Sequence, residues 1–419
     1  MDYFTYKNNE LYCEGVSLEK LVKQFGTPLY VYSYAALKNR FERFNNAFKS
    51  IDSLICYSMK ANSNGAVLKT FVGLGGGIDV VTGGELWRAL KAGCPASRIV
   101  FAGVGKADDE ISAALDAGIL QFNVESEDEL ENISRIAVAR GKKAPIALRV
   151  NPDVDPKTHA YISTGLKKSK FGVNHKRAIE IYKKASTMLG IQVVGIDCHI
   201  GSQITTTSPF VDAAKRVRHL VETLKSEGIE IKNWDIGGGL GIVYKDETPP
   251  TPEDYAKALL SVVGDLKLKF IFEPGRFLVG NTGALVTKAL YNKVGENKNF
   301  LIVDAALNDL MRPAMYDAYH ALWPVKKDGA RPDLVADVVG PICETGDFFA
   351  HDRTMKQVLQ GEYLALMSAG AYGFSMSSTY NSRPRACEVF VNGDQVDLVR
   401  HRETFEDLVR GEVMPGYLR

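Results

Sequence analysis

The stretch Leu54-Ile55-Cys56-Tyr57-Ser58-Met59-Lys60, LICYSMK, is an apolar run of strand length that ends on an ammonium. A strand that is apolar on both faces is buried on both, as in a parallel sheet covered by helices. Seven more such runs follow: GIDVVT (77–82), RIVFAGV (98–104), LQFNVES (120–126), PIALRVN (145–151), VVGIDCHIG (193–201), NWDIGGG (233–239) and KFIFEPGR (269–276). Helical patterns separate them, among them GGELWRALKAG (83–93), SEDELENISRIAVARG (126–141) and PFVDAAKRVRHLVETLKSEG (209–228). Ser126 opens a Ser-x-x-Glu box with Glu129, and Gly93, Gly141 and Gly228 stand where helices stop. Eight buried strands alternating with helices predict an α/β fold, a parallel (β/α)8 barrel of TIM type. An open doubly wound sheet fits the same alternation less well.

The barrel accounts for residues 35–280, and 419 residues are too many for that one core. Beyond 280 the texture changes to GALVTKALYNKV, PDLVADVVGPICETGDFF and ACEVFVNGDQVDLV, strands with turns and hardly a long helix. This predicts a β-rich domain over 281–419, with FTYKNNELYCEG in 1–34 forming a hairpin that joins it. With 51 Lys+Arg against 50 Asp+Glu the net charge is +1, so no global field recruits nucleic acid or an anionic membrane. The start of the chain lacks a basic segment followed by an apolar one, and no run has a membrane-spanning length, which together predict a cytoplasmic protein. Six scattered cysteines without a Cys-x-x-Cys pair argue against a disulfide framework or a structural zinc site, and no other metal site is expected.

A parallel barrel carries its chemistry where its strands end. Here the ends are Lys60, His199-Ile200-Gly201-Ser202-Gln203, Gly237-Gly238-Gly239 and Glu273-Pro274-Gly275-Arg276. Singly, each has an ordinary reading: a rim lysine, a structural histidine, a tight turn, a local ion pair. Barrel register sends all four to one mouth. Glycines after the seventh and eighth strands expose backbone N–H groups where barrels bind phosphate. A lysine facing them can condense with an aldehyde. Pyridoxal phosphate meets both demands, with His199 against its ring and Glu273 on its ring nitrogen.

These residues resemble those of the barrel-type (fold type III) pyridoxal-phosphate decarboxylases, and within them the diaminopimelate decarboxylase family. The likeness runs nearly end to end through YSMKAN (57–62), GGGIDVVTGGE (75–85), NPDVDPKTHAYISTG (151–165), KFGV (170–173), HIGSQ (199–203), GGGLG (237–241), EPGR (273–276), GPICETGD (340–347) and AYG (371–373). The resemblance implies a carboxy-lyase that converts meso-diaminopimelate to L-lysine at the end of lysine biosynthesis. It implies Lys60 as the Schiff-base lysine, His199 as the ring-stacking residue and Glu273 as the partner of the ring nitrogen. Ser202, Gly238, Gly239, Gly275 and Arg276 surround the phosphate, Arg276 through its backbone, and Tyr372 touches both cofactor and substrate. The family works as a head-to-tail homodimer with shared active sites, and Cys343 resembles its proton donor, supplied by the neighbouring subunit. By composition alone Cys343 is one more buried cysteine; its place in GPICETGD reverses that reading.

Substrate choice depends on what holds the far end of the amino acid. A distal carboxylate calls for an arginine fork. Arg276, Arg312 and Tyr316 are candidates, with Glu344 for the distal ammonium, and these match the family's substrate-binding positions. The segment 151–173, long for a loop, reads as a lid or rim. Rival readings are a decarboxylase for ornithine, arginine or carboxynorspermidine, a racemase, a cofactor carrier made of the barrel alone, and a regulatory homologue that binds a protein partner. A racemase would place arginine on the ring nitrogen, a carrier would lack the β-rich region, and a regulatory homologue would lose the lysine or the cysteine.

Overall fold

The eight apolar runs form eight parallel strands, Ser53–Ser58, Gly77–Val80, Ile99–Phe101, Gln121–Val124, Ala144–Asn151, Ile191–Asp197, Asn233–Asp235 and Lys269–Phe272. Each pairs with the next except for one crossing of the seam: the eighth strand pairs with the first, Phe270 opposite Ser53, so the sheet closes on itself. A two-residue strand, Val173–Asn174, pairs in parallel with Val150 and Asn151 at the end of the fifth. The structure is a computed structural model that describes residues 3–155 and 170–418. Most of the expected lid, 156–169, lies outside the described residues.

The predicted helices fall between the strands. Gly83–Lys91, Glu127–Ala139 and Ser208–Ser226 occupy the three segments named above. Ser126 Oγ accepts the N–H of Glu129, as an N-cap should, whereas the Glu129 carboxylate bonds the N–H of Glu125 and not that of Ser126. Gly93, Gly141 and Gly228 all have positive φ, which L side chains avoid and which ends a helix cheaply at glycine. Rings seal part of the helix–barrel boundary, with Phe48 and Phe272 4.1 Å apart between centroids and Phe44 and Tyr255 against them.

The chain divides into two units, Lys38–Val243 with Glu247–Leu278, and Met1–Leu37 with Tyr244–Asp246 and Val279–Arg419. The second is β-rich. Its main sheet runs Phe348–Lys356, Asp333–Val339, Asn299–Val303, Gly283–Val294, Leu29–Ser33, Cys387–Asn392, Gln395–Arg400. It is mixed, since Leu29–Ser33 runs parallel to Cys387–Asn392 and antiparallel to Gly283–Val294. The amino-terminal hairpin pairs Phe4 with Cys13 and Lys7 with Glu10, turning through Asn8 and Asn9, both at positive φ. It sits in a small sheet of its own rather than in the main one, tied to it by the Leu11 N–H on Val325 O at 2.8 Å. Phe4, Leu11 and Cys13 share a core with Leu29, Val31, Val286 and Val389. Among the described residues no helix is long and apolar enough to cross a membrane.

Candidate active site

After the first barrel strand the chain makes a 3-10 turn, Met59–Ala61, and Lys60 stands in it. Its Nζ lies 3.1 Å from Asp79 Oδ2 at the end of the neighbouring strand. Asp79 is fully buried and the same oxygen meets the Ser58 hydroxyl at 2.7 Å. Lys60 is therefore tethered over the barrel mouth, while its side chain keeps 41% of its exposure and stays accessible to a reactant.

Glu273 follows the eighth strand and is buried with Asp197 and Asp235, one oxygen from each acid lying within 4.8 Å of the others. Asn123, from the fourth strand, spans the barrel interior to reach them. Its Nδ2 is 3.0 Å from Asp235 Oδ2 and 3.3 Å from Glu273 Oε1. Gln121 orients Asn123 through a 2.8 Å bond to its Oδ1, and Asn233 orients Gln121 in turn at 3.0 Å. Arg149, bonded to Glu125 Oε1 at 2.7 Å, approaches Asp197 at 3.9 Å.

Acids packed this closely resist ionising together. Burial, then Asp235, Asp79 and Asp197, push the Glu273 carboxyl well above the usual range, and burial is likewise the chief cause that pushes Asp235 up to about 6. Asp79 Oδ1 and Asp197 Oδ1 are buried without a hydrogen-bond partner among the described residues. A cationic N–H entering here relieves both strains, because it supplies a donor and offsets the negative charge.

His199 lies in the loop after the sixth strand. Its Nδ1 accepts the Gly238 N–H at 3.0 Å, so in the neutral ring the proton sits on Nε2. Burial, followed by Arg149 and Lys60, holds its pKa well below the usual imidazole value. A neutral ring fixed from its edge is suited to stacking through a face. Gly237 and Gly239 have φ of 73° and 115°, and a Cβ on Gly238 would stand 2.2 Å from Glu273 O. The loops after strands seven and eight thus meet backbone to backbone. Nearby, a Cβ on Gly275 would meet Ser58 Cβ at 3.0 Å, and the Arg276 guanidinium bonds Ser202 Oγ at 3.1 Å.

The donor set fits pyridoxal phosphate: an acid cluster for a ring N–H, a lysine for an aldehyde, and glycine backbone with Ser202 for a phosphate. Gly238→Ala tests the close approach. The added methyl forces the two loops apart, at a cost of about 1–3 kcal/mol, or roughly one to two powers of ten in cofactor affinity. Fluorescence titration of the apoprotein with pyridoxal phosphate measures it, and an unchanged affinity would remove the glycine contact from the site.

The remaining candidates belong to the β-rich unit. Arg312, Tyr316, Cys343, Glu344 and Tyr372 all lie there, so the sequence-predicted set is divided between the two units. Arg312 is buried at the start of the short helix Arg312–Tyr316. Cys343 is exposed, whereas the other five cysteines are buried. Its N–H donates to Asn381 Oδ1 at 3.0 Å, and the Asp347 carboxylate accepts the N–H groups of Leu307 and Ile342, each at 2.7 Å, which pins the GPICETGD loop. Glu344 bonds Tyr380, which raises the pKa of that phenol. Tyr372 has a φ of 55°, a strained value for a side chain of this size and of a kind that gathers at functional sites.

The family model for the pyridoxal-dependent decarboxylase pyridoxal binding domain matches residues 34–280. Diaminopimelate decarboxylase of Aquifex aeolicus is 53% identical over 408 residues, covering 97% of this chain and 96% of that one. The chain belongs to the diaminopimelate decarboxylase family of pyridoxal-dependent decarboxylases. Solved members of the family superpose along almost the whole length. The Helicobacter pylori enzyme complexed with L-lysine is 43% identical with a TM-score of 0.90, covering 94% of this chain and 98% of that one. The M. jannaschii enzyme, also with L-lysine, is 40% identical with a TM-score of 0.95, covering 100% and 99%. The family's cofactor is pyridoxal phosphate, in keeping with the donor set above.

Sequence reasoning passed over Asp79, Asp197, Asp235 and Asn123, which build the acid cluster. A signal was available. Each is a polar residue in a strand that the barrel buries, in GIDVV, VGIDC, NWDI and QFNV, and such residues persist in a core only with partners.

Proposed function

We propose that the chain decarboxylates meso-diaminopimelate to L-lysine and carbon dioxide, with pyridoxal 5′-phosphate held at the barrel mouth. The observation that carries the reading is the buried Glu273–Asp235–Asp197 cluster beside a tethered Lys60, an arrangement that calls for a cationic ring nitrogen and an aldehyde in one ligand. When bound, the cofactor supplies an electron sink for the pair released from the broken carbon–carboxylate bond.

The chain's own residues do the rest. Lys60 would hold the cofactor through its aldehyde. Glu273, its carboxylate held by Asn123, would accept the ring N–H and favour the protonated nitrogen. His199 would lie against the ring, Ser202, Gly238, Gly239, Gly275 and Arg276 would hold the phosphate, and Tyr372 would contact cofactor and substrate. Cys343 Sγ delivers a proton to the α-carbon, the position vacated by the carboxylate. Arg312, with Arg276 and Tyr316, receives the distal carboxylate, and Glu344 the distal ammonium.

The working assembly in this reading is a homodimer with shared sites. Exposure of Cys343 and Glu344 supports it, as does the run of exposed apolar side chains Phe405, Val413, Met414 and Tyr417 near the carboxy terminus. Carbon dioxide release from meso-diaminopimelate, ornithine, arginine and carboxynorspermidine, measured side by side, tests the substrate. Only the first should turn over well, and comparable rates on ornithine would overturn the assignment. Arg312→Ala should lower kcat/KM for meso-diaminopimelate by about 10²–10³, the worth of a two-pronged charge-assisted contact. An equal loss for a substrate without the distal carboxylate would move that contact elsewhere.

A further inference from the structure

We propose that His320 is a positioning residue for Arg312, a neutral hydrogen-bond acceptor that aims the guanidinium at the substrate's distal carboxylate. The inference rests on the reading of Arg312 given above and extends it to a residue that never touches substrate.

The chemistry of the two contacts fixes the state of the ring. His320 Nδ1 lies 2.8 Å from Met367 O, and a carbonyl only accepts, so Nδ1 carries a proton. Its Nε2 lies 2.8 Å from Arg312 Nη1, and a guanidinium only donates, so Nε2 carries none. Both nitrogens are assigned, and the ring is neutral. His320 is wholly buried, and Tyr244 packs on both partners, edge-on to the imidazole at 5.6 Å and face-on to the guanidinium at 4.4 Å. The backbone is equally constrained: Arg353 bonds His320 O at 3.2 Å, and the Met367 N–H bonds Ala321 O at 2.9 Å.

The identity of the acceptor matters. A carboxylate at position 320 would hold Arg312 just as firmly but would cancel the charge that a substrate carboxylate needs. A neutral imidazole and an aromatic face orient the fork and leave its charge in place. Arginine carries a large side-chain entropy, and a guanidinium already fixed loses little more on binding.

Two substitutions separate the positioning role from a merely structural one. His320→Asn keeps an amide N–H near Met367 O but is too short to reach Arg312. His320→Gln places an amide oxygen near the site of Nε2. The probes are L-lysine and 1,5-diaminopentane, which differ by the distal carboxylate alone, with binding followed through the absorption of the bound cofactor. In the holoenzyme, His320→Asn should weaken L-lysine about 10-fold or more and raise KM for meso-diaminopimelate by a similar factor, while kcat and diaminopentane binding stay within about twofold. His320→Gln should recover most of that loss. If Arg312→Ala fails to discriminate the two amines, the reading of Arg312 is wrong. If it discriminates but His320→Asn does not, or if His320→Gln is no better than His320→Asn, the positioning role is overturned and the reading of Arg312 stands.

Discussion

Lys60→Ala should abolish the visible absorption band of the lysine-linked cofactor and lower turnover by about four powers of ten or more, the scale on which covalent catalysts fail when the nucleophile is removed. The substitution also removes the cation next to Asp79. That carboxylate is buried, and one of its oxygens already lacks a partner among the described residues, so a fall in stability is expected alongside the loss of chemistry. The two effects separate with Lys60→Arg. Its guanidinium can stand opposite Asp79 Oδ2, which the lysine now meets at 3.1 Å, but it is not a nucleophile at any ordinary pH. Melting temperature should therefore recover in Lys60→Arg while band and turnover do not. Full turnover by either variant would end the assignment of Lys60.

The barrel was legible because strands buried on both faces read as nearly continuous apolar runs, and eight of them can be counted. Their ends were less so. The runs ending at Gly201 and Gly239 suggested longer sixth and seventh strands, yet the ladders stop at Asp197 and Asp235, where the chain leaves the sheet to build the site. Leu29–Ser33, LYVYS, went unrecognised as a strand because its partners, Gly283–Val294 and Cys387–Asn392, lie more than two hundred residues away and no local pattern encodes them. In the candidate site, the residues that the sequence could nominate were those inside quoted motifs: Lys60, His199, Glu273, Cys343. Those acting through another residue were not among them. His320 closes the stretch LMRPAMYDAYH (310–320) that carries Arg312 and Tyr316 but was not singled out there, Asn381 stands in no motif, and their contacts with Arg312 and the Cys343 N–H are ones that only folding creates.

Cys343→Ala should retain cofactor and its absorption band yet turn over about 10²–10³ times more slowly, the usual worth of a positioned proton donor. The structure gives the reason to look beyond a single chain. Cys343 is exposed, on a loop made rigid by Asp347 and Asn381, and a donor that must protonate one face of a reactive carbon needs to be shielded from water. A partner subunit is the proposed shield and the owner of the lysine it serves. If so, Lys60→Ala and Cys343→Ala, each nearly inactive alone, should complement. Random exchange makes half the dimers mixed, each with one intact site of two, so an equal mixture should regain about a quarter of wild-type activity. Exchange verified by native mass spectrometry without recovery would place Cys343 and Lys60 of one site in the same chain. Unchanged turnover in Cys343→Ala alone would take the proton donor away from this residue, whichever subunit supplied it.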